Sequence, residues 1–269
     1  MKKFLKYILF VFSPILLLIA GIIIFGKPES DFKTLIDFQL TKIVDQKGSS
    51  IYFMGDSSCG NAINVKLFKR NVVNLSLTGG FISCGSLELL KFLIQQNKKI
   101  EKIYFMYTLD GFNRNKQTEY VIFERDFYVD FFLKSQNFKK NIKNFLGIKS
   151  PVIQLDDFYI KQGNKITRLE TRKYIKSNIS LDNEICIKEI VELCKINKIN
   201  YSFLIGPNYN YLDEESLMSI NDFFNQNRIN FEPSYYLLNA ENIGDSNDHI
   251  SREYNYQSTN FYKQILNID

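Results

Sequence analysis

Ile51-Tyr52-Phe53-Met54-Gly55-Asp56-Ser57-Ser58 is the stretch on which the fold turns. Four apolar residues stopped by glycine, acid and serine read as a short buried strand that ends in a turn. Working downstream, a helix is expected through Ala62–Phe68, then a strand over Asn71–Leu77 ended by Gly79-Gly80. Ser86–Gln96 carries Leu87, Leu90, Leu93 and Ile94 at helical spacing, and Lys102–Tyr107 reads as a third strand. The alternation resumes at Leu181–Ile196, a helix with Ile185, Ile187, Ile190, Val191 and Cys194 in period. A strand over Asn200–Ile205 is stopped by Gly206-Pro207. A polar helix near Asp213–Asn227, a weaker strand near Tyr235–Leu238 and a closing helix over Arg252–Leu266 follow. Upstream, Ser30 caps a helix over Asp31–Val44.

Strands alternating with helices predict an α/β fold, a mostly parallel five-stranded sheet with helices on both faces. In such sheets the reactive loops gather at the carboxyl ends of the strands. Gly55–Ser58, Thr78–Gly80, Asp110–Asn115, Gly206–Tyr211 and Gly244–His249 are therefore expected on one rim. The segment from Arg114 to Lys176 breaks the alternation. It is aromatic and basic, with a polar hairpin pattern over Tyr159–Arg168, and reads as an inserted cap or partner-binding region.

The first 26 residues stand apart. Lys2, Lys3 and Lys6 precede nineteen uncharged residues, Tyr7 to Phe25. That run can cross a hydrocarbon core of ~30 Å at ~1.5 Å per residue. The lysines put the N-terminus in the cytoplasm, and bulky Ile22–Phe25 offers no small-residue cleavage pattern. The expectation is a single-pass anchor in the bacterial inner membrane, with residues 27–269 periplasmic or extracellular. Taking the three lysines from the 34 basic residues leaves 31 against 29 acidic. With no basic stripe interleaved with aromatics, nucleic-acid binding is not indicated.

Cysteine usage is sparse, with four residues. Cys186 and Cys194, eight apart on one helix, lie about 12 Å apart along its axis and cannot bond. Cys59 and Cys84 follow two different strands and are the pair expected to approach one another, as a disulfide or as two small hydrophobes. No cysteine cluster has zinc spacing, and a single histidine argues against a metal centre; no cofactor is called for.

That single histidine, His249, lies in Gly244-Asp245-Ser246-Asn247-Asp248-His249-Ile250. A serine hydroxyl attacks a carbonyl only when a base takes its proton, so Ser57 as nucleophile requires His249 within hydrogen-bond reach. The base in turn needs an acid to hold its tautomer. Asp245 is the first choice, because side chains of adjacent residues diverge, and Asp248 is the alternative. Donors for a developing oxyanion are the backbone N–H groups of Ser57 and Gly79 and the side chain of Asn113.

Together these residues resemble the SGNH (GDSL-like) hydrolase and acyltransferase superfamily. Gly55-Asp56-Ser57 is similar to its first block, Asn74 followed by Gly79 to its second, and Gly111-Phe112-Asn113 to its third. The last block, Asp-x-x-His, is matched with one extra residue, so that Ser246 occupies the place of the acid. Arg114 stands where the third block has an aspartate. The resemblance implies a flavodoxin-like three-layer sandwich and a membrane-anchored serine acyltransferase or esterase. It would act on O-acyl groups, O-acetyl foremost, of a cell-envelope polysaccharide. The implied partners are an acyl donor, the glycan and a multi-span membrane O-acyltransferase. The rival reading is a non-catalytic envelope assembly or glycan-binding protein that keeps the fold.

Overall fold

The computed structural model describes residues 12–14, 17, 31–115, 178–209, 214–244 and 248–268. The chain divides into two compact units, Met1–Thr34 with Ile122–Ile153, and Leu35–Val121 with Gln154–Asp269. The second carries the sheet. The expected membrane span lies largely outside the described residues, as does the expected inserted segment beyond residue 115. Among the described residues, no helix is long and apolar enough to cross a membrane.

The chain runs α1 (Asp31–Asp45), β1 (Ser49–Gly55), α2 (Ser57–Ala62), β2 (Val72–Asn74), α3 (Ile82–Gln95), β3 (Lys99–Tyr107) and α4 (Leu109–Asn113). It continues with α5 (Leu181–Ile196), β4 (Tyr201–Ile205), α6 (Glu214–Gln226), β5 (Phe231–Glu232) and α7 (Asn255–Leu266). The sheet has five strands in the order β2-β1-β3-β4-β5, all parallel. That order is consistent with a flavodoxin-like fold and puts the switch point between β1 and β3.

The burial pattern of the strands explains the sequence signal. β1 is buried at every position after Ser49, as a strand covered on both faces must be. Ile51 and Phe53 of β1, Tyr104 and Met106 of β3 and Leu204 of β4 pack against Cys59 and Ala62 of α2 and Tyr262 of α7. On the opposite face α3 lies against α5. There Phe105 stacks on Phe203 at 4.9 Å between ring centroids, and Phe203 meets Phe224 of α6 at 5.2 Å.

Several expected boundaries move. The first crossover helix begins at Ser57, not Ala62, and gives way to a 3-10 turn at Val65–Leu67, because Asp56 caps it at once. β2 is only three residues long, yet Leu75 and Leu77 still donate to Phe53 O and Gly55 O at 2.7 and 2.8 Å. The ladder thus continues without regular strand geometry. α3 starts four residues before the expected Ser86, immediately after a 3-10 turn at Gly79–Phe81. The fifth strand is Phe231–Glu232 beside Phe203 and Leu204. The expected Tyr235–Leu238 contributes a single bridge, Leu237 with Asn208.

The cysteine pairing differs more sharply. Cys84 is bonded to Cys186, with Cα atoms 5.1 Å apart, and Cys59 is a free buried thiol. The chain passes from β2 at one edge of β1 to β3 at its other edge. With right-handed crossovers, that reversal sends α2 and α3 to opposite faces of the sheet. Cys59 on α2 and Cys84 on α3 are thereby separated by the sheet itself, and Cys84 meets α5 instead.

Candidate active site

Asp56 closes β1 and caps α2. Its backbone is extended (φ −88°, ψ −170°), and Oδ1 accepts from the N–H of Ser58 at 3.0 Å and from the Ser58 hydroxyl. Oδ2 accepts from the N–H and hydroxyl of Thr108, at 3.1 and 3.3 Å, across the switch point. Asp56 is 4% exposed. Burial pushes its pKa above the ordinary carboxylate value; the Ser58 and Thr108 bonds and His249 pull it down, and Asp248 pushes it up. Glycines allow the tight closure around it. A Cβ at Gly111 would come 2.7 Å from Asp56 Oδ2, and one at Gly206 would come 2.5 Å from Ser58 Oγ.

This cap fixes Ser57 as the first residue of α2, partly exposed at the carboxyl end of β1. The N–H groups of a helix's first turn have no partner within the helix, so the Ser57 N–H is free to donate toward the rim. Ser57 Oγ lies 2.8 Å from His249 Nε2, across 192 residues of sequence.

The histidine is delivered by a pinched loop. Ile243 and Ile250 form an antiparallel bridge, Gly244 donates to His249 O at 2.6 Å, and Ser251 donates to Asn242 O at 2.8 Å. The neck rests on a small apolar cluster of Leu238, Ile243 and Ile250. Asn242, 1% exposed, donates to Tyr236 Oη and to Gln257 of α7. His249 is thus tied to the body of the fold at both ends of its loop, its side chain 12% exposed.

Asp245 lies outside the described residues. Asp248 Oδ1 stands 3.8 Å from His249 Nε2, the same ring nitrogen that faces Ser57. A carboxylate on that side supports a positive imidazolium by its field and does not orient the ring through the far nitrogen.

Gly79 is buried and begins the 3-10 turn after β2. Leu77 is bonded to Gly55, so Gly79 stands two residues beyond that pair, as Ser57 does. Asn113 ends α4 with an exposed side chain that makes no hydrogen bond to Ser57 or His249. Asn74 has a structural task. Its Nδ2 donates to Cys59 O and Ile63 O at 3.3 Å, and its Oδ1 accepts from Ser76. It therefore joins the end of α2 to the β2 loop.

Three contributors escaped the reading of the sequence. Asp56 as a cap was visible in principle, an acid directly before a helix. Thr108 caps α4, its Oγ1 accepting from Gly111 N at 2.9 Å, at a strand end that carried the same signal. Asn183 was not visible. Fully buried on α5, it accepts from Ser83 N and Oγ of α3 and donates to the carbonyls of Gly111, Phe112 and Arg114. Three elements meet on one amide, and nothing local announces it.

Among the described residues, no group of three or more His, Cys, Asp or Glu side chains could hold a metal ion. What the site brings together is a hydroxyl, an imidazole and helix-terminal N–H groups, a set suited to acyl transfer through an acyl-serine. Compared with known proteins, the chain matches no family model and no curated protein.

Proposed function

We propose that the protein is a membrane-anchored serine acyltransferase or esterase of SGNH type, acting on O-acyl groups of a cell-envelope polysaccharide. One observation carries this reading: the 2.8 Å hydrogen bond between Ser57 and the only histidine of the chain. Ser57 Oγ attacks the acyl carbonyl while His249 Nε2 takes the hydroxyl proton. The resulting oxyanion is held by the N–H groups of Ser57 and Gly79. His249 then protonates the departing alcohol, leaving an acyl-Ser57. Water or a sugar hydroxyl, deprotonated by His249, resolves the ester and returns the proton. Asp245 remains the proposed orienting acid, with Asp248 adding its field at Nε2.

Two further features support an exported setting. The Cys84–Cys186 disulfide suits an oxidising compartment, and the uncharged run over residues 7–25 is long enough to tether the domain to a membrane. The strand order agrees with the flavodoxin-like sandwich that the resemblance implies. A tether beside membrane-borne acyl donors favours transfer to a glycan, with a multi-span acyltransferase as partner.

The test is covalent labelling with a fluorophosphonate, followed by turnover of acetylated sugars. Labelling that is lost in both Ser57→Ala and His249→Ala supports the enzyme. Folded protein that takes no label supports the non-catalytic glycan-binding reading.

A further inference from the structure

We infer that the Arg114 guanidinium is the side-chain donor of the oxyanion site, in the role expected from the sequence for the Asn113 amide. The inference rests on Ser57 being the nucleophile. The guanidinium lies directly on Gly79, so that a Cβ at that position would collide with Arg114 Nη1. Gly79 is the second proposed N–H donor, and by the Leu77–Gly55 bond it stands level with Ser57 on the neighbouring strand end. A cation held against Gly79 is therefore beside the place where the carbonyl oxygen would collect charge.

The placement is built from the backbone. Arg114 N donates to Asp110 O at 3.0 Å, and Arg114 O accepts from Ser180 Oγ at 2.6 Å and Asn183 Nδ2 at 3.0 Å. These bonds anchor the residue without using its side chain. Among the described residues no carboxylate pairs with the guanidinium, and Arg114 is half-buried. Arginine keeps its charge at any working pH and offers several N–H donors in one plane.

Electrostatics gives the residue a reason to be there. Among the described residues, Asp56 and Asp248 are acids near the reacting serine, close enough to influence one another. A new negative oxygen near such groups is disfavoured unless a cation faces it. As Ser57 Oγ bonds to the carbonyl carbon, the carbonyl π pair moves onto oxygen, and the Arg114 N–H donates to it alongside the two backbone groups. The hydroxyl proton goes to His249 and none leaves Arg114. When the carbonyl re-forms, the pair returns and the leaving oxygen takes the proton from His249.

The experiment uses the full chain in detergent, with p-nitrophenyl acetate turnover and the rate of fluorophosphonate labelling as readouts. Arg114→Gln should lower kcat and the labelling rate by about 10²–10³-fold, as loss of one oxyanion donor does, with KM changed by less than about threefold. Arg114→Lys should fall between. Added guanidinium ion should restore part of the rate to Arg114→Ala and none to Ser57→Ala, a rescue that a folding defect would not give. Wild type labelled through Ser57, with Arg114→Gln labelled equally fast, overturns the role of Arg114 alone. Wild type that takes no label overturns the Ser57 reading and this one with it.

Discussion

Asp56 Oδ2 accepts the backbone N–H of Thr108 at 3.1 Å, joining the loop after β1 to the loop after β3 at the point where the sheet reverses direction. One carboxylate therefore caps the helix that presents Ser57 and locks the neighbouring strand end. An asparagine can reproduce one of its oxygens but turns an NH2 group toward N–H and O–H donors. Asp56→Asn is expected to destabilise the domain by about 1–3 kcal/mol and to slow fluorophosphonate labelling. Stability equal to wild type in urea titration would sink this account of the cap.

The same group has a pH signature. Burial raises its pKa in the folded chain, whereas the unfolded chain ionises at the ordinary value of about 4. Between those two values the folded state binds more protons, so this group's contribution to stability falls as pH rises through the window and is level above it. The stability difference between wild type and Asp56→Asn should therefore shrink as pH climbs from about 4 through the raised value. A gap that widens with pH would contradict the sign.

Asp248 meets the histidine at Nε2 and not across the ring. At that distance its field supports the imidazolium. Asp248→Asn is expected to cost about tenfold or less in ester turnover, against at least about 10³-fold for His249→Ala. Equal losses in the two variants would show that Asp248 carries more of the chemistry than its position implies.

The Cys84–Cys186 bond spans 102 residues. Closing so long a loop restricts the unfolded chain strongly, and Cys84→Ser with Cys186→Ser is expected to cost about 2–5 kcal/mol. The bond also braces α3 against α5, where Asn183 holds the end of α4. Thermal denaturation with and without reductant measures the effect. An unchanged midpoint would mean the bond adds nothing.

Cys59 and Cys194 are buried, and burial pushes both thiols up to about 12. At pH 8 about one in 10⁴ is thiolate. The native protein should leave both unmodified by iodoacetamide, and both should react once guanidinium chloride unfolds the chain. Rapid alkylation of the native protein would show that one of them opens to solvent.

The alternation of strand and helix was legible because each element satisfies a local rule. α5 runs over the same residues, Leu181–Ile196, that its apolar period marks out, and β4 differs by one residue. Gly-Asp-Ser after a buried run, and a lone histidine in a polar loop, were legible as chemistry for the same reason. Short range sufficed, through side-chain period, turn residues and the needs of a serine nucleophile.

Relationships between faces were not legible. Cys84 found Cys186 because the sheet reverses at β1 and puts α2 and α3 on opposite sides, a fact held by strand order and not by any stretch of chain. Arg114, one residue past the expected donor, reaches Gly79 because Asn183 and Ser180 hold its backbone from another helix. Local chain chemistry set the alternation of strand and helix and the residue types fit for acyl chemistry, since those depend on neighbours a few residues away, but it misplaced the fifth strand, which lies at Phe231–Glu232. Which of them meet was left to the tertiary fold, because such meetings depend on handed crossovers and on buried partners from 52 residues apart, as with Asp56 and Thr108, to 192 apart, as with Ser57 and His249.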